Sequence, residues 1–241
     1  MRTPLRARGL PALAAAVVCA CGSDDRAGGR TTGATTAVAW AGSRDDPPDP
    51  PRPPAFEGTD GTWVLHVGDS FVGGPLAETL RARFESVGAK EAVVAKKSTA
   101  TLTWVDDPDL DAWLARRPSL VLITLGANEL YDSVPNVRAR AIHTIARKAG
   151  AVASCVWLAP PIWRKDTSGW LQTIHDHCDP CLFFDSDAVL GGLQPDERRA
   201  DGIHPNGRGG ARWADAFWGW LEDHRDRTRR GWHLDPFVER Y

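Results

Sequence analysis

The sequence lacks an excess of charge of either sign, and it has no internal repeat. Its 241 residues include 29 Lys and Arg against 31 Asp and Glu, for a formal net charge of -2. Nucleic-acid binding depends on a basic surface, so this balance gives no electrostatic case for a nucleic-acid partner. Long hydrophobic runs are also missing. The apolar run from Leu10 to Ala20 is too short to span a bilayer as a stable helix.

That short run has the features of a secretory signal instead. Three arginines precede it: Arg2, Arg6 and Arg8. Its end, Val18-Cys19-Ala20-Cys21, resembles a bacterial lipoprotein signal, in which Cys21 would be lipidated after cleavage. We therefore expect a lipoprotein-type signal peptide over 1–21 and an exported, membrane-anchored protein that faces the periplasm or the cell surface. A plain secretory cleavage site is the alternative.

The next segment, 22–60, is rich in Gly, Thr, Asp and Pro, and its prolines concentrate between positions 47 and 54. Such a composition favours an extended, disordered tether that reaches about 3 Å per residue where it is stiff. A single domain is expected over 61–224, since about 165 residues suit one hydrophobic core. Residues 225–241 are expected to form a charged, solvated C-terminal tail.

Within the domain, predicted strands alternate with predicted helices. This order implies one three-layer α/β/α domain with a mostly parallel sheet, similar to the flavodoxin-like folds. The predicted strands are 62–69, 91–96, 119–125, 151–158 and 181–186. The predicted helices are 75–87, 109–116, 136–149, 168–177 and 206–223.

Two polar residues stand directly after predicted strands. Ser70 follows the strand 62–69 and precedes Pro75, a favoured first-turn residue, so it lies at a strand-to-helix turn. Asn128 likewise lies just beyond the carboxyl end of the strand 119–125. Because the carboxyl ends of parallel strands face one crevice, these two side chains can meet there.

Two further segments add polar groups, one around Thr99 and one containing Asp201 and His204. Each segment alone could be an ordinary turn, a strand exit or a helix cap. Together and in this order, they supply what serine ester hydrolysis needs: a nucleophile, a base with its carboxylate, and donors for an oxyanion.

The motifs Gly68-Asp69-Ser70, Gly126-Ala127-Asn128 and Asp201-Gly202-Ile203-His204-Pro205 resemble three of the four sequence blocks of the SGNH/GDSL hydrolase family. The resemblance covers roughly 62–222. It implies that Ser70 is the nucleophile, His204 the general base and Asp201 the carboxylate that orients it. It also implies an oxyanion hole formed by the N–H of Ser70, the N–H of Thr99 and the side-chain amide of Asn128. No metal or other cofactor is needed for this chemistry.

The chain departs from that family pattern at two positions. Thr99 stands where the family has a glycine, and a β-branched residue tolerates a positive φ poorly. Glu129 follows Asn128 where the family usually has Asp, which keeps the charge on a longer side chain. The chain also lacks the Gly-x-Ser-x-Gly motif of the α/β-hydrolases, which argues against that other fold.

Three cysteines lie in the predicted domain: Cys155, Cys178 and Cys181. In an oxidising compartment any two of them can pair. Four residues, His175, His177, Cys178 and Cys181, also hold enough ligand atoms for zinc, but their spacing is not a recognised zinc pattern, so a disulfide or plain thiols are favoured. His66 and His143 are expected to be structural.

Tryptophans are abundant, with eleven in the chain. Trp213, Phe217 and Trp220 recur at helical spacing and should pack against the sheet. Trp104 and Trp163 are predicted in loops on the same edge as Ser70, where an indole could stack on a sugar or line an acyl pocket. The alternative is that both simply cover the edge of the sheet.

We therefore predict a serine ester hydrolase of the cell envelope. Its expected substrate is an acylated glycan or lipid, and removal of acetyl groups from carbohydrate or peptidoglycan is favoured because a tether and an envelope location suggest a substrate held there. A lysophospholipase or thioesterase is a second enzymatic interpretation. A non-catalytic envelope-binding lipoprotein is the third, supported by the substitution at Thr99.

Overall fold

The computed structural model describes residues 62–131, 134–227 and 231–235. The predicted signal peptide, its Cys21 and the tether over 22–60 lie outside these residues. Among the described helices, none has the length and apolar character needed to cross a membrane.

The centre of the domain is a five-stranded sheet in the order β2-β1-β3-β4-β5, with every neighbouring pair parallel. The strands are β1 (Trp63–Gly68), β2 (Lys90–Ala95), β3 (Leu120–Thr124), β4 (Ser154–Leu158) and β5 (Leu182–Phe184). All residues of β1 and β3 are buried. Continuous apolar strands of this kind are typical of a parallel sheet covered on both faces, as the alternating pattern predicts.

Helices connect the strands and form the outer layers. They are α1 (Pro75–Ser86), α2 (Thr101–Trp104), α3 (Pro108–Leu114), α4 (Ala139–Gly150), α5 (Trp170–His177), α6 (Ser186–Leu190) and α7 (Gly207–Asp223). Single 3₁₀ turns cover Asn128–Tyr131, Pro135–Arg138 and Pro195–Glu197. The short helices α2 and α6 were not expected from the sequence, because neither is long enough to show helical periodicity.

Two hydrophobic clusters lie on opposite faces of the sheet. Helices α1 and α7 cover one face, where Phe84, Trp213 and Phe217 are fully buried. Helices α2 to α5 cover the other face, where Trp104, Trp157 and Trp170 are fully buried. This arrangement confirms the predicted three-layer α/β/α fold, with the strand ends left open at the edges.

The packed domain continues past the predicted boundary at 224. Arg225 and Leu234 form an antiparallel bridge, and Trp232 is buried against Phe84 with the two ring centroids 5.2 Å apart. The residues 231–235 are therefore part of the fold, whereas the charge pattern predicts a solvated tail. A single buried indole outweighs the local charge because it removes a large apolar area from water.

A buried polar network connects β1 to the strands on either side of it. The ring of His66 bonds through Nδ1 to Glu91 Oε1 at 3.0 Å and through Nε2 to Thr124 Oγ1 at 2.9 Å. The side chains of His66 and Glu91 are fully buried. The network links β2, β1 and β3, so His66 has the structural role expected of it.

A disulfide joins Cys155 on β4 to Cys181, just before β5. Cys178 remains outside this bond and is buried. Because Cys181 belongs to the disulfide, its thiolate is not available to the zinc site considered for His175, His177, Cys178 and Cys181. The described residues contain no group of three or more metal-ligating side chains. The Cys155–Cys181 bond fastens two neighbouring strands near their starts.

Candidate active site

The polar residues singled out in the sequence gather at one edge of the sheet. Ser70 follows β1, Thr99 follows β2 and Asn128 follows β3. The loop before α7 brings His204 to the same edge. Because parallel strands all end on the same side, the segments of Ser70, Thr99 and Asn128 become neighbours here, and the loop of His204 joins them.

The turn that carries Ser70 depends on a close approach of two strands. A Cβ atom at Gly68 would lie 2.0 Å from the carbonyl oxygen of Thr124, so only glycine fits at that position. Directly after it, the N–H of Asp69 donates to the same Thr124 oxygen at 3.2 Å. The side chain of Asp69 then accepts the N–H of Phe71 at 2.9 Å. These contacts hold the backbone of Ser70 in a tight turn.

Ser70, His204 and Asp201 form a continuous chain of hydrogen bonds. The Ser70 Oγ lies 2.9 Å from His204 Nε2, and His204 Nδ1 lies 2.8 Å from Asp201 Oδ2. The ring of Phe71 packs against the imidazole, with centroids 5.0 Å apart. This geometry allows the imidazole to accept the serine proton on one nitrogen while the other stays bonded to the carboxylate.

The carboxylate of Asp201 is held by its own loop. Its Oδ1 accepts the backbone N–H groups of Ile203 at 2.8 Å and His204 at 3.0 Å. The hydrogen bond from His204, followed by these two backbone bonds, lowers the pKa of Asp201 to about 2. Asp201 is therefore ionised throughout the neutral range, as an orienting partner for an imidazolium must be.

Thr99 is positioned by contacts that a glycine could not make. Its hydroxyl donates to the carbonyl of Lys96 at 2.7 Å and accepts the indole N–H of Trp104 at 2.9 Å. The positive φ in this loop falls on Ser98, at 57°, and Thr99 does not share it. The backbone strain expected from a threonine at this position is consequently absent.

Two backbone N–H groups of the candidate site are left without an acceptor by the described residues. The N–H groups of Ser70 and Thr99 have no hydrogen-bond acceptor within 62–131, 134–227 and 231–235. The Asn128 amide nitrogen donates to the Thr99 carbonyl at 2.8 Å and lies 3.5 Å from Asp69 Oδ2. Asn128 thereby ties its own loop to the loop of Thr99.

Two buried acids lie below these donors. Asp69 is fully buried, and burial raises its pKa to about 7, with the neighbouring Glu129 acting in the same direction. Burial also raises the pKa of Glu129, whose Oε1 accepts the N–H of Thr101 at 2.5 Å. The longer side chain of Glu129 thus reaches across to the loop that bears Thr99.

The two tryptophans predicted beside the substrate have different surroundings. Trp104 is fully buried and holds Thr99, so the prediction that it contacts substrate is wrong: a helical turn over 101–104 directs the indole into the core. Trp163 is only partly buried and donates its indole N–H to the carbonyl of Ala127 at 3.2 Å. Its contact with substrate stays a prediction.

Three groups at this edge were not found by sequence reasoning. They are the buried carboxyl of Asp69, the exposed ring of Tyr131 and the guanidinium of Arg164. Asp69 could have been noticed as part of the Gly-Asp-Ser motif. Tyr131 and Arg164 carry no local signal, because only the tertiary fold brings their segments together.

Solved structures share this fold, a five-stranded parallel sheet between two layers of helices. TesA is 24% identical with a TM-score of 0.54, and the match covers 67% of this chain and 99% of TesA. A catalytic mutant of Axe2, an acetylxylan esterase from Geobacillus stearothermophilus, is 15% identical with a TM-score of 0.52, covering 66% of this chain and 93% of that one.

A third structure comes from Slackia heliotrinireducens and is provisionally classed as an SGNH hydrolase. It is 20% identical with a TM-score of 0.50, and the match covers 65% of this chain and 97% of that one. No protein-family model and no curated protein matches the sequence. At these identities the similarity establishes the fold, and the predicted SGNH-hydrolase fold is confirmed.

Proposed function

We propose that the protein is a carboxylic ester hydrolase of the SGNH type, with Ser70 as nucleophile, His204 as general base and Asp201 as its orienting carboxylate. The observation that carries this proposal is the hydrogen-bonded chain from Ser70 Oγ through His204 to Asp201, with distances of 2.9 and 2.8 Å. Esterases among the structures with the same fold support it.

In the first half of the reaction, Ser70 Oγ attacks the ester carbonyl while its proton passes to His204 Nε2. The carbonyl oxygen becomes an oxyanion, and the N–H groups of Ser70 and Thr99 are the donors that would stabilise it. The amide of Asn128 would join them by turning to the substrate the N–H group that lies 3.5 Å from Asp69 Oδ2, while its other N–H group keeps the bond to the Thr99 carbonyl. Loss of one such donor typically lowers the rate by about a hundredfold to a thousandfold. The intermediate then expels the alcohol, which takes the proton from Nε2 and leaves an acyl-serine.

In the second half, a water molecule attacks the acyl-serine as His204 Nε2 removes its proton. The second tetrahedral intermediate releases the carboxylic acid, and Ser70 regains its proton from the imidazolium. Asp201 remains an anion throughout, because its pKa of about 2 lies far below neutral pH. Every proton is thus handled by residues of the chain itself.

We further propose that the substrate is an acetylated carbohydrate or peptidoglycan of the cell envelope. An acetylxylan esterase with the same fold supports the acetyl group. The Cys155–Cys181 disulfide supports an exported protein, since disulfides persist in oxidising compartments. The lipoprotein signal ending at Cys21 remains part of this proposal.

The test compares Ser70→Ala with Ser86→Ala in hydrolysis of 4-nitrophenyl acetate. Ser86 is an exposed serine at the end of α1 and serves as the matched control. We expect Ser70→Ala to lower kcat at least about a thousandfold and to abolish labelling by a fluorophosphonate, with Ser86→Ala unchanged. Wild-type activity in Ser70→Ala would overturn the catalytic assignment and favour a non-catalytic binding protein.

Acyl specificity is measured with 4-nitrophenyl esters of increasing chain length. A preference for acetyl supports the deacetylase proposal. A strong preference for long chains contradicts it and favours the lysophospholipase or thioesterase interpretation.

A further inference from the structure

Two aromatic rings and one arginine form a cluster at the edge of the sheet that holds the candidate site. The rings of Tyr131 and Trp163 have centroids 5.0 Å apart and are steeply inclined to each other. The guanidinium carbon of Arg164 lies 4.5 Å from the Tyr131 centroid and 5.8 Å from the Trp163 centroid. Tyr131 remains 66% exposed, although large aromatic side chains are usually well buried.

The local backbone places this cluster next to Asn128. Asn128 and Tyr131 are the first and last residues of one 3₁₀ turn, in which side chains three positions apart lie above one another. Trp163 is fixed to the same segment, since its indole N–H donates to the carbonyl of Ala127. A group bound at Tyr131 and Arg164 would therefore lie on the same side of the domain as Asn128 and the candidate oxyanion hole.

The positive charge of Arg164 has no carboxylate partner among the described residues. The nearest acid in the sequence, Asp166, directs its oxygens to the backbone N–H groups of Ser168, Gly169 and Leu171 at the start of α5. Lys165 adds a second exposed cation beside it. The loop after β4 thus presents net positive charge at the site.

Stacking on an aromatic ring prepares an arginine for binding an anion. The cation–π contact with the ring restrains the guanidinium, while its N–H donors, which lie in the guanidinium plane, can still bond an anion. Two of them can bond a carboxylate in a bidentate pair. Tyr131 and Trp163 at the same time offer apolar surface that suits the face of a sugar ring.

We propose that Arg164, supported by Tyr131, is a specificity residue that binds a carboxylate on the substrate, so that the enzyme acts on acetylated acidic carbohydrates in preference to neutral ones. This inference rests on the proposed esterase function. It goes further by naming the charge of the substrate and the residues that recognise it.

The test measures acetate release from O-acetylated oligogalacturonate and from the same oligomer with its carboxylates converted to carboxamides. The variants are Arg164→Gln, Tyr131→Leu and the matched control Lys165→Gln. We expect the wild type to prefer the acidic oligomer, and Arg164→Gln to lower kcat/KM for it about tenfold or more while leaving the carboxamide oligomer unchanged. Tyr131→Leu should weaken the same preference, and Lys165→Gln should retain it.

Hydrolysis of 4-nitrophenyl acetate separates the two hypotheses, because this small neutral ester does not carry the carboxylate. If the wild type and Arg164→Gln hydrolyse this ester at the same rate, the esterase function is supported. The comparison of the acidic and carboxamide oligomers then tests the role of Arg164. Equal rates on the acidic and carboxamide oligomers, or equal losses in Arg164→Gln and Lys165→Gln, would overturn the proposal for Arg164. No hydrolysis of 4-nitrophenyl acetate by the wild type would overturn the esterase function itself.

Discussion

Asp69 should make the stability of the protein depend on pH in a specific window. Its carboxyl is fully buried between the strand ends, and burial raises its pKa from 3.8 to about 7. A folded-state pKa above the unfolded value means that the folded protein binds this proton more tightly than the unfolded chain does. The stability is therefore unaffected below pH 3.8, falls as the pH rises toward 7, and levels off above 7.

The size of the effect follows from the width of this window. One pKa unit corresponds to about 1.4 kcal/mol, so a shift of roughly three units lowers the free energy of unfolding by about 4 kcal/mol between pH 4 and pH 8. Because Asp69 is fully buried, little of this is lost to solvent screening. The substitution Asp69→Asn removes the titrating proton and with it this part of the pH dependence.

The assay is urea unfolding of the wild type and Asp69→Asn at half-unit intervals from pH 4 to pH 8. The difference between the two free energies of unfolding is compared across pH, so the absolute stability of the variant does not matter. Asp187→Asn is the matched control, since burial also raises the pKa of Asp187, but only to about 6. Its smaller effect should level off above about pH 6, one unit earlier than that of Asp69.

The expected result is that the wild type loses about 4 kcal/mol relative to Asp69→Asn over this range. Parallel curves for the two proteins between pH 4 and pH 7 would refute the reasoning. They would mean that the hydrogen bonds to the Asp69 carboxylate, from Phe71 and from the backbone after β3, offset the effect of its burial on the pKa.

Two further predictions concern the sheet. Replacing both Cys155 and Cys181 by alanine should lower the free energy of unfolding by about 3.5 kcal/mol, because their disulfide closes a loop with a sequence separation of 26. Thermal unfolding with and without reductant checks this prediction, and an unchanged Tm in the reduced wild type would contradict it. His66→Leu leaves the Glu91 carboxylate buried without its imidazole partner, so it should lower the free energy of unfolding in urea by about 3–5 kcal/mol. The double variant with Glu91→Leu should recover most of this loss, and equal losses in the single and double variants would argue against a coupled pair.

Much of the fold and of the candidate site could be predicted from the sequence because the relevant signals are local. The apolar strands around β1 and β3 are continuous runs, and each is followed at once by the polar residue it positions, Ser70 or Asn128. The loop of Asp201 and His204 is also local, since three residues suffice to bring the carboxylate to the imidazole. Parallel alternation then requires these strand ends to share one edge.

Contacts between remote segments could not be predicted in this way. Trp104 resembles a rim residue in the sequence, yet the turn over 101–104 carries it into the core. The choice of Cys181 over Cys178 as partner of Cys155 depends on which sulfur atom faces β4, and that depends on how the chain enters β5.

The sequence by itself determined the order of elements, the parallel sheet and the residue types at the ends of its strands, because periodicity and turn chemistry act over a few neighbours. Only the tertiary structure decided which side chains are buried and which charges are left without a partner. The raised pKa of Asp69 and the stacking of Arg164 on Tyr131 both arise from groups that meet only when the strands are assembled side by side. Burial and long-range contact are properties of the whole fold, and no short stretch of sequence encodes them.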